Sequence, residues 1–143
     1  MSFDLKIVKG DISIERDGSI KTVFGNEKLR QDIVKIILTE VGDNKFHPQY
    51  GSNVGAVQVG TVQDETFLKQ DLISSAQDAL KNLMALQRSQ AKRQYLSPSE
   101  IIIDIKNIEI KRDTIDPRMY NIFISVLTQE LDLVVEAVTI RII

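Results

Sequence analysis

The chain has 143 residues, 43% hydrophobic and 27% charged, a size and balance that fit one domain able to bury its own core. Eighteen basic against twenty acidic side chains leave a net charge of -2, with no block of like charge to grip nucleic acid or a membrane surface. Without cysteine there is no disulfide framework, thiolate metal site or thiol nucleophile.

Met1-Ser2-Phe3-Asp4-Leu5-Lys6 lacks the basic and then apolar regions of a secretory signal, and no apolar run approaches the roughly 18 residues a membrane span needs. Synthesis in a cytoplasm is the expectation. Leu5, Ile7, Ile12 and Ile14 alternate with polar neighbours around a break at Gly10-Asp11. Asp17-Gly18 signals a tight turn, and Ile20-Lys21-Thr22-Val23 resumes extended character. These segments predict a small N-terminal β element.

Asn26 is a suitable N-cap, with Glu27 in the first turn. Leu29, Ile33, Ile36 and Ile37 then repeat at helical spacing, predicting a helix from Glu27 to about Glu40 with Arg30, Gln31 and Lys35 away from the buried stripe. The next segment is dense in conformational constraints. Gly42 stands where a helix C-cap favours a left-handed residue, Pro48 restricts itself and His47, and Gly51 permits a second sharp turn. Phe46 and Tyr50 offer two rings to bury, so this loop is expected to be pinned by its own side chains.

Gly55 and Gly60 bracket a short unclassified stretch. Thr61 or Gln63 opens a second helix, with Asp64 and Glu65 near its positive end. Leu68, Leu72, Ala76, Ala79, Leu83 and Leu86 form a narrow seam; Arg88, Lys92 and Arg93 sit at the far end, and the signal stops at Ser97-Pro98. The period then changes. Ile101, Ile103 and Ile105 alternate before the parity flips to Ile108 and Ile110, which predicts a β-bulge or bend near Lys106-Asn107. A turn at 112–117 leads to Tyr120, Ile122, Ile124 and Val126, and Gln129-Glu130 marks another reversal. Leu131, Leu133 and Val135 then give way to Val138, Ile140 and Ile142. The whole predicts one α+β domain over residues 1–143: two helices packed on a mostly antiparallel β-sheet, with the N-terminal β element and a C-terminal three-stranded meander.

Leu38-Thr39, Gly42, Phe46, Pro48, Tyr50 and Gly51 carry a resemblance. The pattern of a helix ending in Leu-Thr, then glycine, an aromatic, proline, an aromatic and glycine is similar to that of the baseplate wedge or sheath-initiator family of contractile phage tails. The order of elements agrees over most of the chain. The resemblance implies a structural role without cofactor: a ring of copies in the virion tail baseplate, built in the host cytoplasm. Its partners would be the tail sheath protein, other wedge proteins, and tail tube or hub proteins. Many relatives carry an acidic-Pro-Arg tripeptide after the second helix. Here Ser97-Pro98-Ser99 keeps only the proline, and Glu100 supplies an acid one step later, so these four residues are the candidate wedge contact. Asp116-Pro117-Arg118 lies one hairpin further on and reads as a turn.

Members of this family have also been labelled lysozymes, which sets an enzymatic alternative beside that of a regulatory adaptor sharing the fold. A glycoside hydrolase needs two carboxylates about 5–10 Å apart in a cleft. Glu40 with Asp43, and Asp64 with Glu65, are candidates, but all stand among polar residues at element ends, and tryptophan is absent. The single histidine, His47, has no second histidine or cysteine to complete a metal site and no nucleophile elbow beside it. Packing or hydrogen bonding within the Pro48 turn is the expectation for it, and the reading is of a protein without catalytic residues or metal.

The C-terminus is apolar and β-branched from Val134 to Ile143, interrupted by Glu136 and Arg141. Such a strand is an aggregation hazard at a sheet edge. It is therefore either central in its sheet or reserved for another chain through strand addition. The resemblance implies the second: sheath initiators resemble the part of a sheath subunit that receives extended arms. It places the sheath contact on Val138, Thr139, Ile140, Arg141, Ile142 and Ile143, with the strand from Met119 to Leu127 as a further candidate edge.

Overall fold

The computed structural model describes residues 2–54 and 65–141. The Gly55–Gly60 stretch, the proposed opening of the second helix at Thr61 or Gln63, Asp64, Ile142 and Ile143 lie outside the described residues.

Short strands β1 (Asp4–Leu5), β2 (Ile7–Val8), β3 (Asp11–Ile12) and β4 (Thr22–Val23) form the N-terminal element. β2 and β3 make an antiparallel hairpin, and β4 pairs with β1. Lys9 and Gly10 both have positive φ, 52° and 83°, the primed turn that matches strand twist in a two-residue hairpin. Gly18, at φ 89°, closes the second turn where Asp17 accepts both donors of Ser19.

Helix α1 spans Gly25–Leu38 and buries Leu29, Ile33, Ile36 and Ile37, the predicted stripe. Its start differs from expectation. Asn26 lies inside the helix, and the N-cap is the extended Phe24, with no side-chain capping hydrogen bond among the described residues. Gly25 enters at φ 61° with Ser99 Oγ only 3.0 Å from where a Cβ would sit, so glycine allows both the turn and the close approach. The helix also ends two residues early, because Thr39 turns extended while its N–H and Oγ1 both bond the Lys35 carbonyl.

Helix α2 covers Glu65–Ala91 and buries Leu72, Ala76, Ala79, Leu80, Leu83 and Gln87. Leu68 packs at the margin of the same core. A 3-10 turn at Pro98–Glu100 leads into β5 (Ile102–Arg112), β6 (Met119–Thr128) and β7 (Leu133–Arg141). These form an antiparallel meander in the order β5-β6-β7. The parity flip in β5 is a register shift between Ile105 and Asn107, as the sequence predicted, and a second shift lies between Ile102 and Asp104. The parity change in β7 has another cause. Its register on β6 is unbroken, Val134, Val138 and Ile140 face inward, and Leu133 and Val135 stand on the solvent face.

α1 packs on β7 and α2 on β5, and the alternately buried face of β6, between those strands, joins the same core. Tyr120, Ile122, Ile124 and Val126 meet the helix stripes there, each fully buried aliphatic side chain contributing about 1.5–3 kcal/mol.

Candidate functional site

Two places gather the residues that the sequence singled out: the loop after α1 and the outer strand of the sheet.

The loop is anchored by backbone. Ser52 N–H donates to the Thr39 carbonyl at 2.8 Å, and Val41 N–H to the Ser52 carbonyl at 3.4 Å, joining the two loop ends as a parallel bridge. Ser52 Oγ, 3% exposed, donates to the Ile37 carbonyl at 2.5 Å, one of the carbonyls the helix end leaves unpaired. Gly51 has φ 122°, and a Cβ there would stand 2.6 Å from the Thr39 oxygen. Gly42, at φ 99°, belongs to a tight turn in which Asp43 N–H meets the Glu40 carbonyl, and not to the helix cap, because α1 has already ended.

Asn44 Oδ1 accepts from the N–H groups of Phe46 and His47, and Tyr50 N–H closes the Pro48 turn on the His47 carbonyl. His47 itself is exposed and takes part through its main chain. Of the two rings expected to bury, Tyr50 does so in part against the core, where burial raises its pKa against the opposing charge of Lys35. Phe46 does not: it is 92% exposed. The polar side chain of Asn44 and backbone pairing hold the loop in its place. Beside it runs a cleft of about 350 Å³ lined by Phe46, Pro48, Tyr50 and, from α2, Asn82 and Leu86. Glu40 and Asp43, the paired carboxylates of the hydrolase alternative, are exposed at the neighbouring turn and do not line this cleft.

The second place is β7. β6 is paired on both sides, which removes the Met119–Leu127 strand as an open edge. β7 has one strand neighbour among the described residues. The hydrogen-bond parity follows from the preceding turn. Thr128 N–H donates to the Asp132 carbonyl, so alternate pairs from Val126↔Val134 onward are the bonded ones. The main-chain groups of Leu133, Val135, Ala137 and Thr139 therefore point away from β6. Ala137 bears this out: its N–H finds the Glu136 Oε1 at 3.1 Å.

Side chains divide accordingly. Val138 and Ile140, expected at the interface, are 2% and 6% exposed and serve the core. Leu133, at 60% exposure, and Val135, at 49%, form with the partly exposed Phe123 and Leu127 an apolar solvent face whose residues were not among those expected at the interface. The opposite sheet edge, β5, is interrupted by its two register shifts and carries Asp104, Lys106, Glu109 and Lys111. Bulges and charges of this kind blunt an edge.

The candidate wedge contact at 97–100 is tied inward. Glu100 is 1% exposed, contrary to its expected role as an acid offered to a neighbour. Its carbonyl accepts from Gln87 Nε2 at 2.7 Å, and Gln87 Oε1 accepts from Ile102 N–H at 2.9 Å. Both carboxylate oxygens lack a hydrogen-bond donor among the described residues, with Lys28 Nζ 3.9 Å from Oε1. From Lys28 a ladder of charge continues through Asp32 to Lys35 and Asp4, and Gln31 bonds both Asp4 and the Leu5 carbonyl. This network docks the N-terminal strands on α1. Lysine and aspartate at spacings of three and four along the helix were the available sequence signal for it.

No protein-family model matches the chain, and no curated protein is significantly similar to it. Among solved structures the fold is similar to that of a protein from Geobacter sulfurreducens whose name marks it as a candidate tail lysozyme. The two share 14% identity with a TM-score of 0.61, over 82% of this chain and 90% of the other.

Proposed function

We propose that this chain is a structural component of a contractile phage-tail baseplate, of the wedge or sheath-initiator kind, that accepts an extended arm of a sheath subunit on β7. The observation carrying the proposal is the row of outward main-chain groups at Leu133, Val135, Ala137 and Thr139 on the edge strand of a helix-backed sheet. Strand addition uses such groups for affinity and the alternating side chains for register. The tail-related name of the Geobacter protein supports the setting, and the Phe46–Gly51 motif supports the family.

In this reading the protein works by geometry. The backbone-anchored loop fixes the end of α1 while that helix lies across β7, so the edge is held at a set angle. Copies arranged in a ring would offer the first sheath layer a template of sheet edges, with other wedge proteins and tube or hub proteins as remaining neighbours.

Removing the chain after Glu136 would also remove Val138 and Ile140 from the core, so a finer substitution is the better test. Ala137→Pro deletes an outward N–H and leaves the β6 ladder intact, a placement edge strands tolerate. The variant is expected to fold and to join baseplates that then fail to nucleate sheath in electron micrographs. Sheaths of normal frequency and length on those baseplates would overturn the proposal.

A further inference from the structure

The groove beside the free edge of β7 carries a chemistry of its own. It measures about 560 Å³ and lies between the N-terminal hairpin, one flank of α1 and Glu136 of β7, with no residue of β6 in its lining. The α1 flank runs from Arg30 through Val34 to Leu38, the last 59% exposed, so the helix overhangs the edge where a fourth strand would lie. Across from it stand Ile7, Lys6 and Lys9 of the hairpin.

Lys6, Lys9 and Arg30 form no ion pair with any described residue. Lys35, also in the lining, is engaged by Asp4 and Asp32. The carboxylates present are Glu27 and Glu136, so the unpaired cations outnumber them. Glu136 turns its carboxylate onto the outward N–H of Ala137, in the middle of the exposed edge. A charged residue at inward parity on an edge strand, covering an edge donor, holds off indiscriminate pairing. An incoming main chain has to take that donor from it.

Resting on the strand-accepting reading of β7, we infer that the groove selects an extended segment bearing acidic side chains. Its main chain replaces Glu136 at Ala137, and its carboxylates meet Lys6, Lys9 and Arg30. Apolar residues at the alternate positions continue the solvent face of Leu133 and Val135. The hairpin is then the part of the molecule that discriminates between arms, while β7 supplies register.

The test uses the full chain and two blocked ten-residue peptides, one alternating valine with glutamate, the other valine with lysine. NMR amide exchange reports slowing at Val135, Ala137 and Thr139, and titration reports affinity. The glutamate peptide is expected to slow exchange at all three and to bind about tenfold more tightly than the lysine peptide, the scale of a few partly exposed charge contacts. Arg30→Glu, on an exposed helix surface, and Lys6→Glu with Lys9→Glu should each erase or reverse that preference; if the double variant unfolds, Arg30→Glu decides. Glu136→Ala should tighten both peptides. Slowed exchange with no charge preference, or a preference the cation variants leave intact, would overturn the acidic-arm inference and leave strand addition standing. No slowing by either peptide, with Glu136→Ala included, would remove the strand-addition reading and this inference together.

Discussion

Gly51 is the residue on which the loop turns. Its φ of 122° is costly for any side chain, and the Thr39 oxygen stands 2.6 Å from the position of a Cβ. Gly51→Val is expected to lower stability by about 2–4 kcal/mol, since strain and steric displacement of a paired backbone add. Chemical denaturation gives the figure, and equal unfolding midpoints for the two proteins would contradict the assignment. Glu100 and Lys28 present the opposite case, a pair retained at the helix-helix junction with poor local compensation. Lys28→Met should destabilise by about 3 kcal/mol by leaving a buried carboxylate alone, and adding Glu100→Gln should recover much of the loss. A double-mutant cycle with additive losses would show the two side chains to be independent.

The elements were legible where periodicity alone decides them. The α1 stripe and the meander strands follow from spacing, and the flip between Ile105 and Ile108 marked a bulge because side-chain parity admits few other solutions. What spacing could not reveal was tertiary satisfaction. Gln31 and Lys35 read as solvated, yet one bonds the backbone of Leu5 and both bond Asp4. Asn26 read as a cap, but the helix begins two residues before Glu27, at Gly25, where Ser99 Oγ lies close. Phe46 read as buried because aromatic rings usually are, whereas an Asn44 side chain does the pinning. The candidate interface was half legible: β7 was recognisable as a strand, but its inward and outward residues depend on register, which a strand that is apolar on both faces leaves open.

Docking of the N-terminal strands on α1 carries a pH signature. Burial opposes the charge of Asp4, but bonds from Lys35, Gln31 and the Leu5 N–H outweigh it and hold its pKa below the ordinary value. A depressed carboxylate adds stability that is present above its unfolded pKa and is lost as pH falls through the folded one. Lys35 is shifted the other way: burial lowers its pKa, but Asp4 and Asp32 raise it overall, so its contribution holds below its unfolded pKa and fades in strong alkali. The pair therefore contributes from about pH 4 to 10 and weakens on the acid side first. Asp4→Asn should lower stability near neutrality by less than about 1 kcal/mol, given its exposure, and flatten the decline below pH 4. An unchanged acid profile in urea titrations would exclude this contact as its source.

At the scale of the whole molecule the two sheet margins are unequal. β5 is bulged and charged, whereas β7 has an unbroken register and apolar flanks. On the proposed reading of β7, a body with one receptive margin and one refusing margin cannot extend a ribbon through both. On the strand-accepting reading a foreign strand on β7 makes a heterologous contact, whereas a second copy meeting it β7 to β7 would make a closed pair. On that same reading, an array built through β7 would inherit a direction from the asymmetry and grow away from the molecule on a single side.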